Sequence, residues 1–514
     1  MITIVDCGSQ LTQNIARRVR ELGVYAEILP FNTDPREILG NKNLEGIIIS
    51  GGQFSVYDNG SPLYGKELLE AGIPVLGICY GMQSIAHLLG GEVKPTEKRE
   101  YGKTRVRITD SSGSILLGDE IYNSGVKSFN SWMSHGDVVV KMPPGFKATS
   151  VSSSRHIASM ENIGRGIFTV QFHPEVDHTE HGRRILENFV KFTDAKRTWD
   201  PTKAYERIVD RVKDKVSGKI VVGGVSGGVD SSVGSVLMHR IIGGNYHSIF
   251  VDNGLLRLNE GEEVVKYLRP LLPNIIVVDA SEIFLKALEG VTDKDQKRSV
   301  IGERFIRVFE TEARKIKGAT HLFQGTLYPD VIESVPIYGS SSKIKRHHNV
   351  GGLPERMELE LVEPFRNLFK DEVRKIGEYL GVPEEIVWRH PFPGPGLAVR
   401  IIGGVTPEKL EILRKADAIH LEELRKRGLY HKISQALTIL TNNRSVGVMG
   451  DEGTYQYVVA IRDVVTTDFM TAHPYHFKER DITTICNRII NEVRGVNRAV
   501  EDKSSKPPAT IEWE

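Results

Sequence analysis

A reactive thiol needs a turn that lifts its sulfur into reach, a base beside it and a group that holds the base. Residues Val75-Leu-Gly77-Ile-Cys79-Tyr80-Gly81-Met-Gln83 read as a buried strand, a Gly-x-Cys-x-Gly turn and then a helix, Ser84-Ile-Ala-His-Leu-Leu89. The flanking glycines permit a turn too sharp for residues with side chains. The helix N-terminus favours a thiolate and offers backbone N–H groups to an oxyanion, the logic of a nucleophile elbow with Cys in place of Ser. A buried structural cysteine is the competing reading of the turn alone. A partner for it lies 94 residues on, where an apolar strand over 167–172 leads into His173-Pro-Glu175. A His just past the C-terminal end of such a strand faces the same sheet edge as the elbow. A carboxylate two residues later can hold the second ring nitrogen, so Cys79, His173 and Glu175 form the candidate catalytic set.

A second chemistry is written in Lys219-Ile-Val-Val-Gly-Gly-Val-Ser226-Gly227-Gly228-Val229-Asp230-Ser231-Ser232, a Gly-rich loop between a strand and a helix. Backbone N–H groups in such a loop cradle anions, and the helix dipole adds to their pull. Gly223 and Gly228 have the Walker A spacing, but Val229 and Asp230 stand where Lys and Ser or Thr belong. An aspartate beside a polyphosphate makes sense when a divalent cation sits between them, which makes Asp230 the metal candidate. Asp252, Asp279 and the run Gly325-Thr-Leu-Tyr-Pro-Asp330 end other strands, at the edge where open α/β sheets bind ligands. Asp279 fits a helix cap equally well. Lys343-Ile-Lys345-Arg346 opens a basic, Gly-rich, irregular stretch that reads as a lid able to close over phosphates, with a solvated loop as the alternative.

Both turns demand α/β units to hold them. Strands over 2–5, 46–50, 74–78 and 167–172, with helical periodicity between several of them, predict a largely parallel, doubly wound sheet in residues 1–192. Around 191–200 the chain turns charged and loses its period, which places a linker there. Asp200 can cap the next helix, Pro201 suits its first position, and Tyr205, Ile208, Val209, Val212 and Val216 follow at helical spacing. Strands over 219–224, 247–252, 274–279 and 321–325 then predict a second α/β unit, 200–389. Pro and Gly in His390-Pro-Phe-Pro-Gly-Pro-Gly-Leu397 break any regular element. Helical patterns over 408–428 and 480–494 and strands over 455–462 make 390–514 a smaller α+β domain. The fold class expected is therefore α/β: two doubly wound, largely parallel-sheet domains followed by a smaller α+β domain.

Composition narrows the function. In 514 residues, 67 Lys and Arg balance 66 Asp and Glu, a formal net charge of +1, so no global field holds nucleic acid or an anionic membrane. Three cysteines make no disulfide framework and no Cys-x-x-Cys pair. No apolar run approaches the roughly 18–20 residues of a membrane span, and the N-terminus lacks a signal-peptide pattern. A protein of the reducing cytoplasm is expected.

The elbow, His173-Pro-Glu175 and an early Ser50-Gly-Gly52 turn resemble the class I glutamine amidotransferases over roughly residues 1–192. That resemblance implies that Cys79 attacks the side-chain amide of glutamine, releasing ammonia and leaving a thioester for water. It also places oxyanion donors on the backbones of Gly52 and Tyr80, and glutamine contacts on Gln83 and the segment Ser134-His135-Gly-Asp137. Gln53 departs from the Pro often found there. The Ser226–Ser232 string resembles the ATP pyrophosphatase (PP-loop) signature, whose members adenylate an oxygen and release pyrophosphate. This implies Mg2+ with ATP, held at Asp230. Pro393-Gly-Pro-Gly396, Ser445-Val-Gly-Val-Met-Gly-Asp451 and the tail from Lys506 are similar to the C-terminal domain of GMP synthetases. By resemblance, that domain pairs two subunits and contacts xanthosine monophosphate (XMP) through Lys506, Thr510, Ile511 and Glu512. The last four residues before Glu514 also alternate like a strand, and Trp513 is costly to leave exposed.

With all three resemblances in order, the expected activity is glutamine-dependent synthesis of GMP from XMP and ATP by a homodimer. Another PP-loop ligase, acting on an acid or on tRNA, is the rival among enzymes. A tRNA-modifying enzyme wants a basic face or zinc cysteines, and the chain has neither. A binding protein without chemistry has no use for an intact Cys79, His173, Glu175 and Asp230.

Overall fold

Short β-branched runs bounded by glycine, proline or a capping residue have nowhere to bury their side chains except between helices, and the chain builds its sheets from them. The computed structural model describes residues 1–109, 113–334, 359–466, 469 and 471–514. These divide into two compact units, Met1–Asp200 and the residues from Pro201 onward.

The first unit is a nine-stranded sheet: β1 (Ile2–Asp6), β2 (Ala26–Pro30), β3 (Gly46–Ile49), β4 (Val75–Ile78), β5 (Glu92–Ile108), β6 (Ser128–Lys141), β7 (Lys147–Ser152), β8 (Ile157–Asn162) and β9 (Ile167–Val170). Their order is β2-β1-β3-β4-β9-β8-β7-β5-β6. The first five are mutually parallel and the last four add antiparallel pairs. The antiparallel arm was not read from sequence because β5 carries Pro95, Gly102 and a run of charges, and its buried side shows only as isolated positions such as Val93, Val106 and Ile108. The parallel strands β1, β3, β4 and β9 are buried throughout.

The second unit holds two sheets. One is all parallel, in order β12-β11-β10-β13-β14, from β10 (Ile220–Val225), β11 (Tyr246–Asp252), β12 (Ile276–Asp279), β13 (Ala319–Phe323) and β14 (Glu360–Val362). The chain winds one way from β10 to β12 and crosses to the other side for β13, which puts the topological switch point beside β10. The other sheet contains β15 (Gln435–Met449), β16 (Glu452–Val465), β17 (His473–Pro474) and β18 (Val496–Glu501). Helices Pro407–Lys426 and Glu479–Glu492 pack near it. The helix Pro201–Val216 opens the unit, with Pro201 at its first position. The two sheets are distinct yet share one hydrophobic core, in which Val222, Ile249 and Leu322 join Leu413, Leu440 and Val459.

The Pro-Gly-Pro-Gly segment helps to make that shared core. Gly396 adopts φ +63°, and a Cβ there would lie 2.4 Å from the Leu255 carbonyl oxygen, which instead accepts the Leu397 N–H at 2.8 Å. The tail departs from the strand expected of it. Residues 510–513 form no strand, and Trp513 is 41% exposed, its indole N–H donating to Asp502 at 3.0 Å. The tail is fixed instead by a fully buried guanidinium. Arg462 donates to the carbonyls of Ser504 (3.0 Å), Thr510 (2.9 Å) and Ile511 (2.9 Å) and to Asp502 (2.7 Å). Among the described residues no helix is long and apolar enough to cross a membrane.

Replacing Arg462 by Met takes its guanidinium partner from the Asp502 carboxylate and leaves the carbonyls of Ser504, Thr510 and Ile511 without this donor. The expected cost is about 3–5 kcal/mol, the usual penalty for removing one partner of a buried ion pair. Denaturant unfolding of the full chain measures it, and an unchanged midpoint would show that the tail is held by its apolar contacts alone.

Candidate functional site

The thiol turn is dictated by backbone packed on backbone. A Cβ on Gly81 would lie 2.4 Å from the Ile49 carbonyl oxygen, and one on Gly77 would lie 2.7 Å from the Gly81 carbonyl group. Between them Cys79 takes φ 55°, a conformation costing a non-glycine residue about 1–3 kcal/mol that persists only when its surroundings enforce it. The helix Tyr80–Leu88 starts at once, four residues earlier than the sequence pattern placed it, so the sulfur sits at a helix N-terminus. Cys79 N–H donates to the Val170 carbonyl at 2.8 Å, which ties the elbow to the end of β9.

His173 and Glu175 follow β9 and are buried with the thiol. His173 Nδ1 lies 2.7 Å from Glu175 Oε1, and the ring also hydrogen-bonds Cys79. Burial alone would push the imidazole down; the charges of Glu175 and Cys79 outweigh it and hold the imidazole well above its ordinary value. The imidazole is therefore set up as a cation beside the Cys79 sulfur and steadied by a carboxylate. Cys79 and His173 open on a cavity of about 610 Å³, of the size that takes a small molecule.

Gly52, Gln83, Ser134, His135 and Asp137 line that cavity, and Tyr80 adjoins Cys79 beneath it. Gly52 has no room for a side chain, since a Cβ would stand 2.6 Å from the Cys7 carbonyl oxygen. Gln83 donates to the Asp137 carbonyl at 2.9 Å, and the Cys79 thiol lies 3.6 Å from the Ser134 carbonyl. Both ring nitrogens of His135 are engaged, by Glu100 Oε2 and the Asp137 carbonyl at 3.0 Å each, so its side chain braces the segment. Ser55, Tyr57 and Glu100 were missed in the sequence. Ser55 and Tyr57 donate to the Asp137 carboxylate from a loop with no motif of its own, and nothing local marks them.

In the second unit the loop after β10 stands at the switch point, and the helix Val229–Ile242 follows it. Its serines fold it on itself: Ser226 N–H donates to Ser231 Oγ (3.1 Å), Ser231 Oγ to the Gly228 carbonyl (3.2 Å) and Gly228 N–H to Ser226 Oγ (3.3 Å). Gly227 takes φ +75° with Val264 at 2.6 Å from where a Cβ would be. Gly325, after β13, comes so close that its Cβ would lie 3.3 Å from the Asp230 backbone. Asp230 Oδ2 is 3.4 Å from Lys370 Nζ, while Oδ1 is buried with no hydrogen-bond partner. Ser232 Oγ is likewise buried and unpartnered. Lys370, which begins the helix Lys370–Tyr379, is a cation beside the anion cradle that sequence reasoning missed for want of any local pattern.

Asp252 accepts the Gly254 N–H at 2.9 Å and shapes the turn after β11. Asp279 accepts both the N–H and the hydroxyl of Ser281 in the turn that leads into the helix Ser281–Ala287, whose N-cap is Ala280. Lys345 lies outside the described residues. Lys506, Thr510, Ile511 and Glu512 gather at one place. Glu512 receives Arg400 at 2.8 Å and Gln435 at 2.9 Å, and Lys506 donates to the Phe469 carbonyl at 2.7 Å.

Residues 3–192 match the family model for glutamine amidotransferase class-I, and 422–513 match that for the GMP synthase C terminal domain. Over 100% of its length the chain is 54% identical to the GMP synthase [glutamine-hydrolyzing] of Aquifex aeolicus, covering 99% of that protein. Enzymes of the same name from Fusobacterium nucleatum subsp. nucleatum and Carboxydothermus hydrogenoformans are 50% and 51% identical, with the same 99% of each covered.

Glu175→Gln removes the carboxylate that raises the His173 imidazole, so the imidazolium beside the Cys79 sulfur is lost at lower pH. Alkylation of Cys79 by iodoacetamide, followed by mass spectrometry, is expected to slow about tenfold near pH ~6.5, one pKa unit's worth. The two proteins should converge in strong base, where any thiol is ionised. Superimposable profiles would exclude an electrostatic role for Glu175.

Proposed function

We propose a division of labour from one premise: the chain belongs to the glutamine-hydrolysing GMP synthases, ligases that use glutamine as the amide donor. It falls into three working parts, 1–192, 200–389 and 390–514. The observation that carries the reading is the buried Cys79–His173–Glu175 array opening on a cavity of small-molecule size. The Cys79 thiolate attacks the carboxamide carbon of glutamine, and the N–H groups of Gly52 and Tyr80 receive the charge that develops on oxygen. His173 gives its proton to the departing ammonia. It then takes one from the water that attacks the thioester, and glutamate leaves as the thiol is restored.

In the second unit, the O2 oxygen of XMP attacks ATP, pyrophosphate leaves into the loop 226–232, and ammonia displaces AMP to give GMP. Activation is needed because a ring oxygen is a poor leaving group and AMP a good one. Asp230 fits the Mg2+ that accompanies ATP, having a buried carboxylate oxygen without a partner. Among the described residues no group of three or more His, Cys, Asp or Glu is placed to bind a metal, so phosphate oxygens and water would supply the remaining ligands, the usual habit of this ion. When bound, it neutralises charge on the departing pyrophosphate. Lys506, Thr510, Ile511 and Glu512 contact XMP. The C-terminal part pairs two subunits, supported by the β15–β16 hairpin, which leaves Val446, Val448 and Tyr455 exposed. The enzyme acts in the cytoplasm.

Two substitutions test the scheme. Cys79→Ala should lower glutamine-driven GMP synthesis by at least about 10³-fold, on the scale of a lost nucleophile, and leave ammonium-driven synthesis largely intact. Loss of both in a folded protein would sink the two-site division. Asp230→Asn keeps the loop's shape but removes the anionic ligand, so both nitrogen sources should fail together by several kcal/mol of barrier. If Asp230 only caps its helix, worth about 1 kcal/mol, Asn will serve nearly as well in a magnesium titration of ammonium-driven synthesis.

A further inference from the structure

Six charged side chains of alternating sign run through the second unit from the phosphate loop to the tail. Arg389 donates to the Gly227 carbonyl at 3.4 Å and pairs with Glu260. The other oxygen of Glu260 accepts the Arg257 backbone N–H at 2.6 Å, and its charge acts on the Arg257 guanidinium through space. Arg257 then faces Asp417 at 3.0 Å, Asp417 faces Arg400 at 3.8 Å, and Arg400 reaches Glu512 at 2.8 Å. Three cations meet three anions, so the row is neutral as a whole while no member is neutral alone. The four inner residues are at most 9% exposed, and the Phe392 ring lies against both Arg257 (4.7 Å) and Arg400 (5.1 Å).

The middle of the row is its least satisfied point. Neither carboxylate oxygen of Asp417 has a well-directed hydrogen bond, and the same holds for Arg257 Nε and Nη2 and Arg400 Nη1. Asp417 is thus held by charge between two guanidinium groups, one in the loop half of the row and one in the tail half. In a low-dielectric interior such groups cannot be screened, so displacement of one changes the field on the next. His420 and Asp463, paired at 3.1 Å, close the row on its far side.

We propose that Asp417 is a positioning residue that couples the phosphate loop to the tail, so that occupation of one favours the geometry the other needs. This rests on the assignment of the loop to ATP and the tail to XMP. Asp417 touches neither substrate. Its effect passes through Arg257, Glu260 and Arg389 to Gly227 on one side, and through Arg400 to Glu512 on the other. A purely structural salt bridge would lower stability and leave the two substrates independent of this residue.

The test is AMP and pyrophosphate release by the full-length enzyme with ammonium, over a grid of ATP and XMP concentrations. Wild-type release that depends on XMP secures the underlying reading, and its failure would overturn that reading separately. With wild type, the KM for XMP should fall as ATP rises. In Asp417→Asn the KM for XMP should rise about tenfold, kcat should change much less, and the dependence of one KM on the other substrate should vanish. Arg389→Gln, at the partly exposed loop end, serves if Asp417→Asn does not fold. It should raise the KM for XMP several-fold although Arg389 contacts only the loop and Glu260. A wild type without coupling, a folded Asp417→Asn with wild-type coupling, or an Arg389→Gln that alters the KM for ATP alone overturns the proposal.

Discussion

Backbone lying directly on backbone, with no Cβ between, is the constraint on which both sites rest. At the thiol elbow it is the approach of Gly81 to the Ile49 carbonyl that forces the chain from strand to helix within one residue, and Cys79 absorbs the strain as a positive φ. Any side chain at Gly77 or Gly81 would open the turn and draw the sulfur back toward the sheet. The phosphate loop obeys the same rule at Gly325, which lies against the Asp230 backbone, so two strand ends converge on one crevice, while Gly227 makes room for the Val264 side chain. The chemistry on offer follows from that closeness, because only an uncovered backbone can present several N–H groups to one anion.

A second constraint governs the C-terminal half. Arg400, Arg462 and Lys297 are fully buried cations, and each is answered by the tail: Arg400 by Glu512, Arg462 by the carbonyls of Thr510 and Ile511, Lys297 by Glu514. Uncompensated, any one of them would cost several kcal/mol. The tail is therefore part of the interior although it contains no regular element. Its alternation of Thr, Ile, Glu and Trp mimics a strand, yet only Ile511 of the four is buried and the carbonyls of Thr510 and Ile511 are claimed by a guanidinium where a neighbouring strand would otherwise pair.

What could be read from sequence were features whose cause is local. A strand followed by Gly-x-Cys-x-Gly, a strand followed by Ser-Gly-Gly-Val-Asp, and a proline behind a capping aspartate each state their structure within ten residues. The central parallel strands were legible because burial makes them nearly continuous apolar runs, whereas the parallel edge strands β2 and β14, only partly buried, were not. β5 was not, since one face is wet and charged and Pro95 hides the period, and β15 was not, since its buried run Gln435–Thr441 gives way at Asn442-Asn443 to a largely exposed half. Ser55, Tyr57, Glu100 and Lys370 stayed invisible for a different reason. Each is an ordinary polar residue whose role is created by another element arriving beside it, and no spacing within its own segment encodes that arrival.

Both proposed chemistries gather negative charge, on sulfur in one and on phosphate in the other, which gives a physical reason for housing them in separate units. The proposed glutaminase needs an ionised sulfur, maintained by one imidazolium and one buried carboxylate. The proposed adenylation site gathers a polyphosphate with backbone N–H groups, Lys370 and Asp230. A phosphate charge about 4 Å from a thiolate, at an effective dielectric constant near 20, would oppose it by about 4 kcal/mol. That is roughly three pKa units, enough to protonate a thiol that must be ionised near neutrality. Conversely, an imidazolium placed in the phosphate loop would bind pyrophosphate after the reaction as well as ATP before it, and would gain nothing at the step between. Proximity would have cost the nucleophile.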